Sequence, residues 1–534
     1  MINKTVRAAV AVIAGIALAG TLAACGGGAA QTVGSGPRGE FTFALASDPT
    51  CLNPRGAGNN DGAYPARQLV DSLTDQDPQT GKIVGWLATK FSVSDDATRF
   101  TFTLRDGVTF SDGSAFDATS VQQNFDEIIR NGAEQPQALQ FLSGYRRTVV
   151  VDDHVARVEF SEPNAQFLQA TASHFLGMLA PSTLKTAPAD RCTGHLVGTG
   201  PYTLDHYSKN TEVVEQRRNG YAWGSSLWEN KGEAATQTLI FKVIPESGVR
   251  SGALKSAQVD AIGGVPPQDE AGLKAAGYVL QSRPNPGQVF SLIPNEKSKL
   301  GSDPAVRQAL SKAIDRQAVV KAVLSPSFNP ATSTLAKTTP GWTDLSSALA
   351  SDPATAKKLL ETDGWKTGSD GIRTKAGQRL VLKTYWGTNF NPNQAALELI
   401  QQQAKAVGIE LDLNSVPIGE LQNTLQSGDF DLSWGNSTRP DPDILRNVYW
   451  QNGNAAYGID DPKLIKDLQG QQGTTDDAKR ATYAADAQKI IVRQAYGIPV
   501  FELTTVLGVG KNAGGIRFDS YSRLQFHDAK ATEG

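Results

Sequence analysis

Between Arg99 and Ile129 the chain reads RFTFTLRDGVTFSDGSAFDATSVQQNFDEII. Phe100, Phe102 and Leu104 alternate with Thr101, Thr103 and Arg105, the period of a half-buried strand. Asp106-Gly107 turns the chain, Val108-Thr109-Phe110 resumes the strand, and Ser111-Asp112-Gly113 turns it again. Thr119 or Ser120 is placed to cap a helix through Val121, Phe125, Ile128 and Ile129, which share one face. On physical grounds alone this is a surface hairpin followed by a helix.

The same run, TFTLRDGVTFSDGSAFDATSV, resembles the signature of the family 5 extracellular solute-binding proteins, the peptide- and nickel-type receptors of ABC importers. Leu104-Arg105, Gly107, Phe110, Asp112-Gly113 and Val121 carry the likeness. Further landmarks follow in order: GTGPY at 198–202, a helix over 248–257 followed by Val259-Asp260-Ala261-Ile262, VRQALSKAIDR at 306–316 and DPATAKKLLETDGW at 352–365. Together they cover nearly the whole chain after its first 40 residues. The resemblance implies an α/β, two-lobed, periplasmic-binding-protein-like fold of the large type II form, with an inserted subdomain and a ligand cleft between lobes. The expected division is 40–288 with 502–534 for the first lobe, an insertion over about 66–192, and 289–501 for the second lobe.

The N-terminus points to export. Lys4 and Arg7 precede Ala8–Thr21, an apolar run without charge that is too short for a span of about 20 apolar residues. Leu22-Ala23-Ala24-Cys25 then reads as a lipobox, with 1–24 a lipoprotein signal peptide and Cys25 the lipidated residue; an ordinary signal peptide with a chance cysteine is the alternative. Residues 25–39 read as a flexible tether, with six glycines between Gly26 and Gly39 and no aromatic residue. The expected location is the outer face of the cell membrane or the periplasm, lipid-anchored.

Three cysteines occur in 534 residues. With Cys25 committed to lipid, Cys51 and Cys192 are expected to pair in an oxidising compartment, two unpaired thiols being the alternative. Neither has the CxxC or paired-histidine surroundings of a metal site. The formal charge is −3, and loss of 1–24 removes two cations, Lys4 and Arg7; so mild a balance argues against a nucleic-acid partner. The length exceeds one hydrophobic core, so two or three lobes are expected.

Local patterns agree with mixed α and β structure. Glu40–Leu45 alternates as a strand. Thr148–Phe160 reads as two strands around Asp152-Asp153. The glycines of GTGPY lack GxGxxG spacing and a following Gly-Lys-Ser/Thr, so they are read as sites of tight backbone packing rather than as a phosphate loop. Gln288–Ile293 is read as a strand crossing between lobes, and Pro499-Val500-Phe501 as the return. Asp303-Pro304 and Asp352-Pro353 each start a helix. Leu380–Trp386, a helix opened by Asn391-Pro392 and stopped by Gly408, and Ile409–Leu413 form a βαβ unit, so that sheet has a parallel part.

No HExxH, GxSxG or Walker A motif is present, and no SxxK with its partner motifs. None of the five histidines lies three or four residues from another. No enzyme and no cofactor is expected. The candidate site lies beyond the carboxyl ends of the second-lobe strands, where two lobes face each other. One loop is Trp386-Gly387-Thr388-Asn389; the other is Trp434-Gly435-Asn436-Ser437-Thr438-Arg439, before Asp441-Pro442-Asp443. In peptide-binding relatives the second loop carries an aspartate that takes the peptide amine; here Asn436, Ser437 and Thr438 stand there instead. Arg439 can meet an anionic group, or pair with Asp441 or Asp443. Asp441 fits the Asp-Pro element expected to open the next helix. Trp386 and Trp434 can offer aromatic faces or pack in the core. No direct metal ligand is expected, though a metal inside an organic chelator needs none. The reading is a monomeric substrate-binding lipoprotein of an ABC importer that delivers a peptide or peptide-like solute to membrane permease subunits. A receptor for a chelated metal, sugar or small organic anion, and a structural lipoprotein, are the alternatives.

Overall fold

The structure is a computed structural model that describes residues 39–388, 390–450 and 457–533. The expected signal peptide, the lipidation site Cys25, nearly all of the tether, and Asn389 lie outside the described residues.

The principal strands, in chain order, are β1 (Glu40–Leu45), β2 (Ala88–Val93), β3 (Arg99–Leu104), β4 (Tyr145–Asp152), β5 (Val155–Phe160), β6 (Tyr202–Ser208), β7 (Glu212–Arg217), β8 (Thr238–Val243), β9 (Ala261–Gly263), β10 (Val279–Pro284), β11 (Gly287–Pro294), β12 (Val381–Gly387), β13 (Glu410–Val416), β14 (Leu432–Thr438), β15 (Ile498–Phe501) and β16 (Thr504–Val509). They form a seven-stranded sheet ordered β10-β16-β9-β1-β8-β7-β6, a five-stranded sheet ordered β13-β12-β14-β11-β15 and a four-stranded sheet ordered β2-β3-β5-β4.

The four-stranded sheet follows from the sequence pattern. Phe100, Phe102 and Leu104 of β3 are buried, while Thr101 and Thr103 between them are half-buried. The buried face meets the helix α1 (Ala118–Arg130), whose Val121, Phe125 and Ile128 are fully enclosed. Two details of that helix differ from expectation. Asp117, not Thr119 or Ser120, is its cap: the Asp117 carboxylate accepts from Ser120 N at 2.7 Å, and Asp117 N donates in return to Ser120 Oγ at 3.4 Å. Ile129 is exposed, because the packed stripe turns past it within one residue.

In the seven-stranded sheet, β1 runs parallel to β8 and β9. Alternation fails there: Ala44 is buried beside Phe43 and Leu45, since both faces are covered. Phe43 meets Tyr64, Phe241 and Phe526 on one side, and Ala44 meets Leu254 and Ile262 on the other. Phe526 comes from the last residues of the chain, so the C-terminal tail completes this core. The tight-packing role of GTGPY holds: a Cβ on Gly198 or Gly200 would collide with the carbonyls of Leu69 and Gln68. A disulfide joins Cys51 to Cys192 across a sequence separation of 141, and Leu52 N donates to Cys192 O at 3.0 Å beside it.

In the five-stranded sheet β12 is parallel to β13 and β14, and α2 (Asn393–Lys405) is the crossover. The strand around Gln288 lies wholly in this sheet, between β14 and β15. The chain therefore passes between sheets just before it, at Asn285-Pro286, and again at Glu502-Leu503. These two crossings touch: Asn285 N donates to Leu503 O at 2.7 Å, and Thr505 Oγ1 donates to Asn285 Oδ1 at 2.8 Å.

Candidate functional site

The candidate residues of the second lobe sit at the carboxyl ends of the parallel strands β12 and β14, where α/β folds bind ligands. Trp386 and Gly387 end β12, and Trp434 to Thr438 belong to β14 itself, so they are strand rather than loop residues. Pairing with β11 holds them extended: Thr438 faces Gly287, Ser437 faces Gln288, and Trp434 faces Leu292.

The two tryptophans face inward. Trp434 is 1% exposed, stacks on Phe290 at 5.4 Å between ring centres, and donates from Nε1 to Asn393 Oδ1 at 2.9 Å. Trp386 joins the same core. Gly387 admits Ile418, whose Cδ1 would stand 2.6 Å from a Cβ placed there. Asn436, Ser437 and Thr438 are each half-buried.

Arg439 begins the loop after β14, and Gly287 makes room for it. Gly287 has φ of +108°, and a Cβ there would meet Ser437 O and stand 2.6 Å from Arg439 N. The Arg439 amide donates to Pro286 O at 3.0 Å, so the loop leaves the sheet beside the interlobe crossing. From there the side chain reaches across to the lobe that holds the four-stranded sheet. Its Nη1 donates to Gln166 Oε1 at 3.0 Å and its Nη2 to Gln140 Oε1 at 2.6 Å, and the guanidinium lies 4.6 Å over the Phe141 ring. Turned so that its oxygen faces the guanidinium, the Asn447 amide accepts from Nη1 at 2.8 Å and Nη2 at 3.0 Å. Burial pushes the Arg439 pKa down from its ordinary value, opposed by the nearby Tyr521, Asp443 and Asp441.

The pairing of Arg439 with Asp441 or Asp443 gives way to other partners. Asp441 is held by Arg480 through two bonds of 2.7 and 2.8 Å. Asp443 is held by Arg446 through bonds of 2.8 and 2.7 Å, and by Gln471. Asp441 does not open the next helix either. That helix, α3 (Ile444–Tyr449), starts beyond it, and the Asp441 carboxylate accepts instead from Asp443 N at 2.8 Å. Arg480, from a distant helix, and Arg446, one turn along α3, outcompete Arg439.

Further contacts run along the same face. Gln76 Nε2 donates to Pro440 O at 3.2 Å, Ala165 N donates to Gln472 O at 3.0 Å, and Gln472 Nε2 donates to Pro163 O at 3.0 Å. Sequence reasoning misses Gln140, Phe141, Gln166 and Asn447. Gln140, Phe141 and Gln166 lie in short, irregular segments where no periodicity marks a residue as facing a partner lobe. Among the described residues no three His, Cys, Asp or Glu side chains gather as a metal site, and no helix is long and apolar enough to cross a membrane.

Residues 82–458 match the model of the bacterial extracellular solute-binding proteins, family 5 Middle. The glutathione-binding protein GsiB of Salmonella paratyphi A is 26% identical over 507 residues, which span 92% of this chain and 94% of that one. Among solved structures, NikA from Brucella suis in complex with Fe(III)-EDTA superposes with a TM-score of 0.79 at 23% identity, covering 92% of this chain and 99% of its own. The dipeptide-binding protein of Pseudoalteromonas sp. SM9913 in complex with Met-Leu superposes at 0.76 with 22% identity, covering 92% and 100%. Both likenesses are to two-lobed binding proteins of mixed α/β fold.

Proposed function

The chain belongs to the bacterial extracellular solute-binding proteins of family 5, and from that premise we propose that it is a lipid-anchored receptor that captures a peptide or peptide-like solute between its lobes. The first lobe is 40–284 with 504–534, carrying the insertion 66–192, and the second is 287–501, so the expected boundary at 288/289 moves back to the crossing at 285–286. The site is the face formed by the ends of β12 and β14: Gly387, Asn436, Ser437, Thr438 and Arg439 line it, while Trp386 and Trp434, expected to offer aromatic faces to the ligand, pack in the core behind it. The lobes close about the paired crossings at 285–286 and 502–503, exclude water around the solute and present the closed form to permease subunits. Cys25 carries the lipid and the protein acts as a monomer.

The observation that carries this reading is the reach of Arg439. A second-lobe side chain at the end of a parallel strand contacts Gln140 and Gln166 of the other lobe, so this face is where both lobes meet one ligand. The names of two relatives, which mention glutathione and Met-Leu, favour a peptide-like solute.

Native mass spectrometry of the chain purified without denaturant tests the proposal. A co-purified series of masses spaced by amino-acid residues is the expected result. One discrete non-peptide mass would replace the peptide solute by a specialised one. A ligand-free protein whose melting no peptide, chelated metal or sugar shifts would overturn the receptor reading in favour of a structural lipoprotein.

A further inference from the structure

Arg439 is a buried cation without an acid. It is 2% exposed, and among the described residues no carboxylate lies within ion-pair distance of it. Its hydrogen-bond partners are the neutral amides of Gln140, Gln166 and Asn447. The two acids that follow it in the chain are each committed to another arginine. Arg480 and Arg446 hold Asp441 and Asp443, so Arg439 sits in a place nearly closed to water with only neutral amides on its guanidinium. Such a charge is costly unless an anion joins it. Neutral amides solvate it but do not cancel it.

Two neighbouring atoms are unsatisfied as well. Gln166 Nε2 and Gln169 Oε1 are buried and have no hydrogen-bond partner among the described residues. Gln166 Nε2 is a donor on the same side chain that touches the guanidinium. Gln169 donates from its Nε2 to the Tyr521 hydroxyl at 3.3 Å, and its oxygen remains an acceptor. The fork of Arg439 with the Gln166 donor beside it matches the two oxygens of a planar anion.

Resting on the receptor reading above, we propose that the solute is recognised through a carboxylate, which takes the place of the Gln140 and Gln166 oxygens on the Arg439 guanidinium. The ligand is therefore an acidic peptide-like or organic-acid solute, and its free amine is not what this loop reads. The carboxylates of the loop, at 441 and 443, are already held by Arg480 and Arg446 and are not offered to an ammonium group.

The test is thermal shift followed by isothermal titration calorimetry on the full chain in detergent. The probes form matched sets: glutathione and its diethyl ester, Met-Leu, its C-terminal amide and its N-acetyl form, with glucose and putrescine as neutral and cationic controls. The expected result is binding by free carboxylates, retained within a few-fold on N-acetylation and weakened at least tenfold on amidation or esterification. R439Q loses at least tenfold for the carboxylate probes and nothing for the amides, while its own melting temperature does not fall; R439K, which keeps charge without the fork, lies between. Amides or putrescine binding as well as the acids, or R439Q binding acids like the unsubstituted protein, would overturn the carboxylate inference and leave the receptor reading standing. No shift with any probe would count against both.

Discussion

Replacing Glu215 by glutamine is expected to stabilise the protein at neutral pH and to flatten its stability against pH. Glu215 lies in β7, between Leu239 of β8 and Leu204 of β6, and is fully buried. Neither carboxyl oxygen has a hydrogen-bond partner among the described residues. Burial pushes its pKa well above the ordinary 4.5, so the fold holds the proton that the unfolded chain releases. The native state then binds more protons than the unfolded state at every pH between the two pKa values. Stability is greatest below the unfolded value and falls as pH rises through this window. The slope is about 1.4 kcal/mol per pH unit. Within that window the unsubstituted protein therefore loses, with each rise of one pH unit, up to that amount, which E215Q, with the same shape and no proton to hold, does not lose. Urea unfolding of both proteins at pH 5, 6 and 7 measures the difference. Parallel pH profiles would show that the carboxylate is ionised in the fold and that its burial has been misjudged.

Two other substitutions address the scaffold. The C51S/C192S pair frees a loop spanning a separation of 141 residues and is expected to lower unfolding free energy by up to about 5 kcal/mol; denaturant midpoints of the variant and of the reduced protein should agree, and an unchanged midpoint would refute the cross-link's role. W434A removes a side chain 1% exposed and should cost about 3–5 kcal/mol of stability, W434F clearly less; a melt unaffected by W434A would place the indole at the ligand face instead of the core.

Much of the fold was legible because it is written in local chemistry. The alternation at Phe100, Phe102 and Leu104, the Asp-Pro starts at 303 and 352 and the stop at Gly408 each act within a few residues, and each element appears where its pattern puts it. Errors arose where two local signals competed or where the neighbour was distant. Asp117 displaced Thr119 and Ser120 as cap because a carboxylate beside a serine can close a reciprocal box. Ala44 broke the alternation of β1 because a second layer covers its other face.

The candidate site divides the same way. The βαβ periodicity of 380–413 gives the carboxyl end of β12 from sequence spacing, whereas the stretch 434–438 reads as a loop and becomes part of the parallel strand β14 only through its pairing with β12 and β11. The state of each side chain does not follow from spacing. Trp434 faces Phe290 because β14 pairs with β11 in one register, and a shift of one residue would turn it outward. Asp441 and Asp443 are claimed by Arg480 and Arg446, and Arg439 is delivered to Gln140 and Gln166, roughly 300 and 270 positions away in the chain. The sequence by itself determined where most helices and strands form, because hydrophobic period and capping are short-range, and the likeness of its motifs to the family 5 solute-binding proteins supplied the two-lobed class. Which charge is paired and which is left over was decided only in the tertiary structure, because that depends on which distant groups arrive within hydrogen-bond reach.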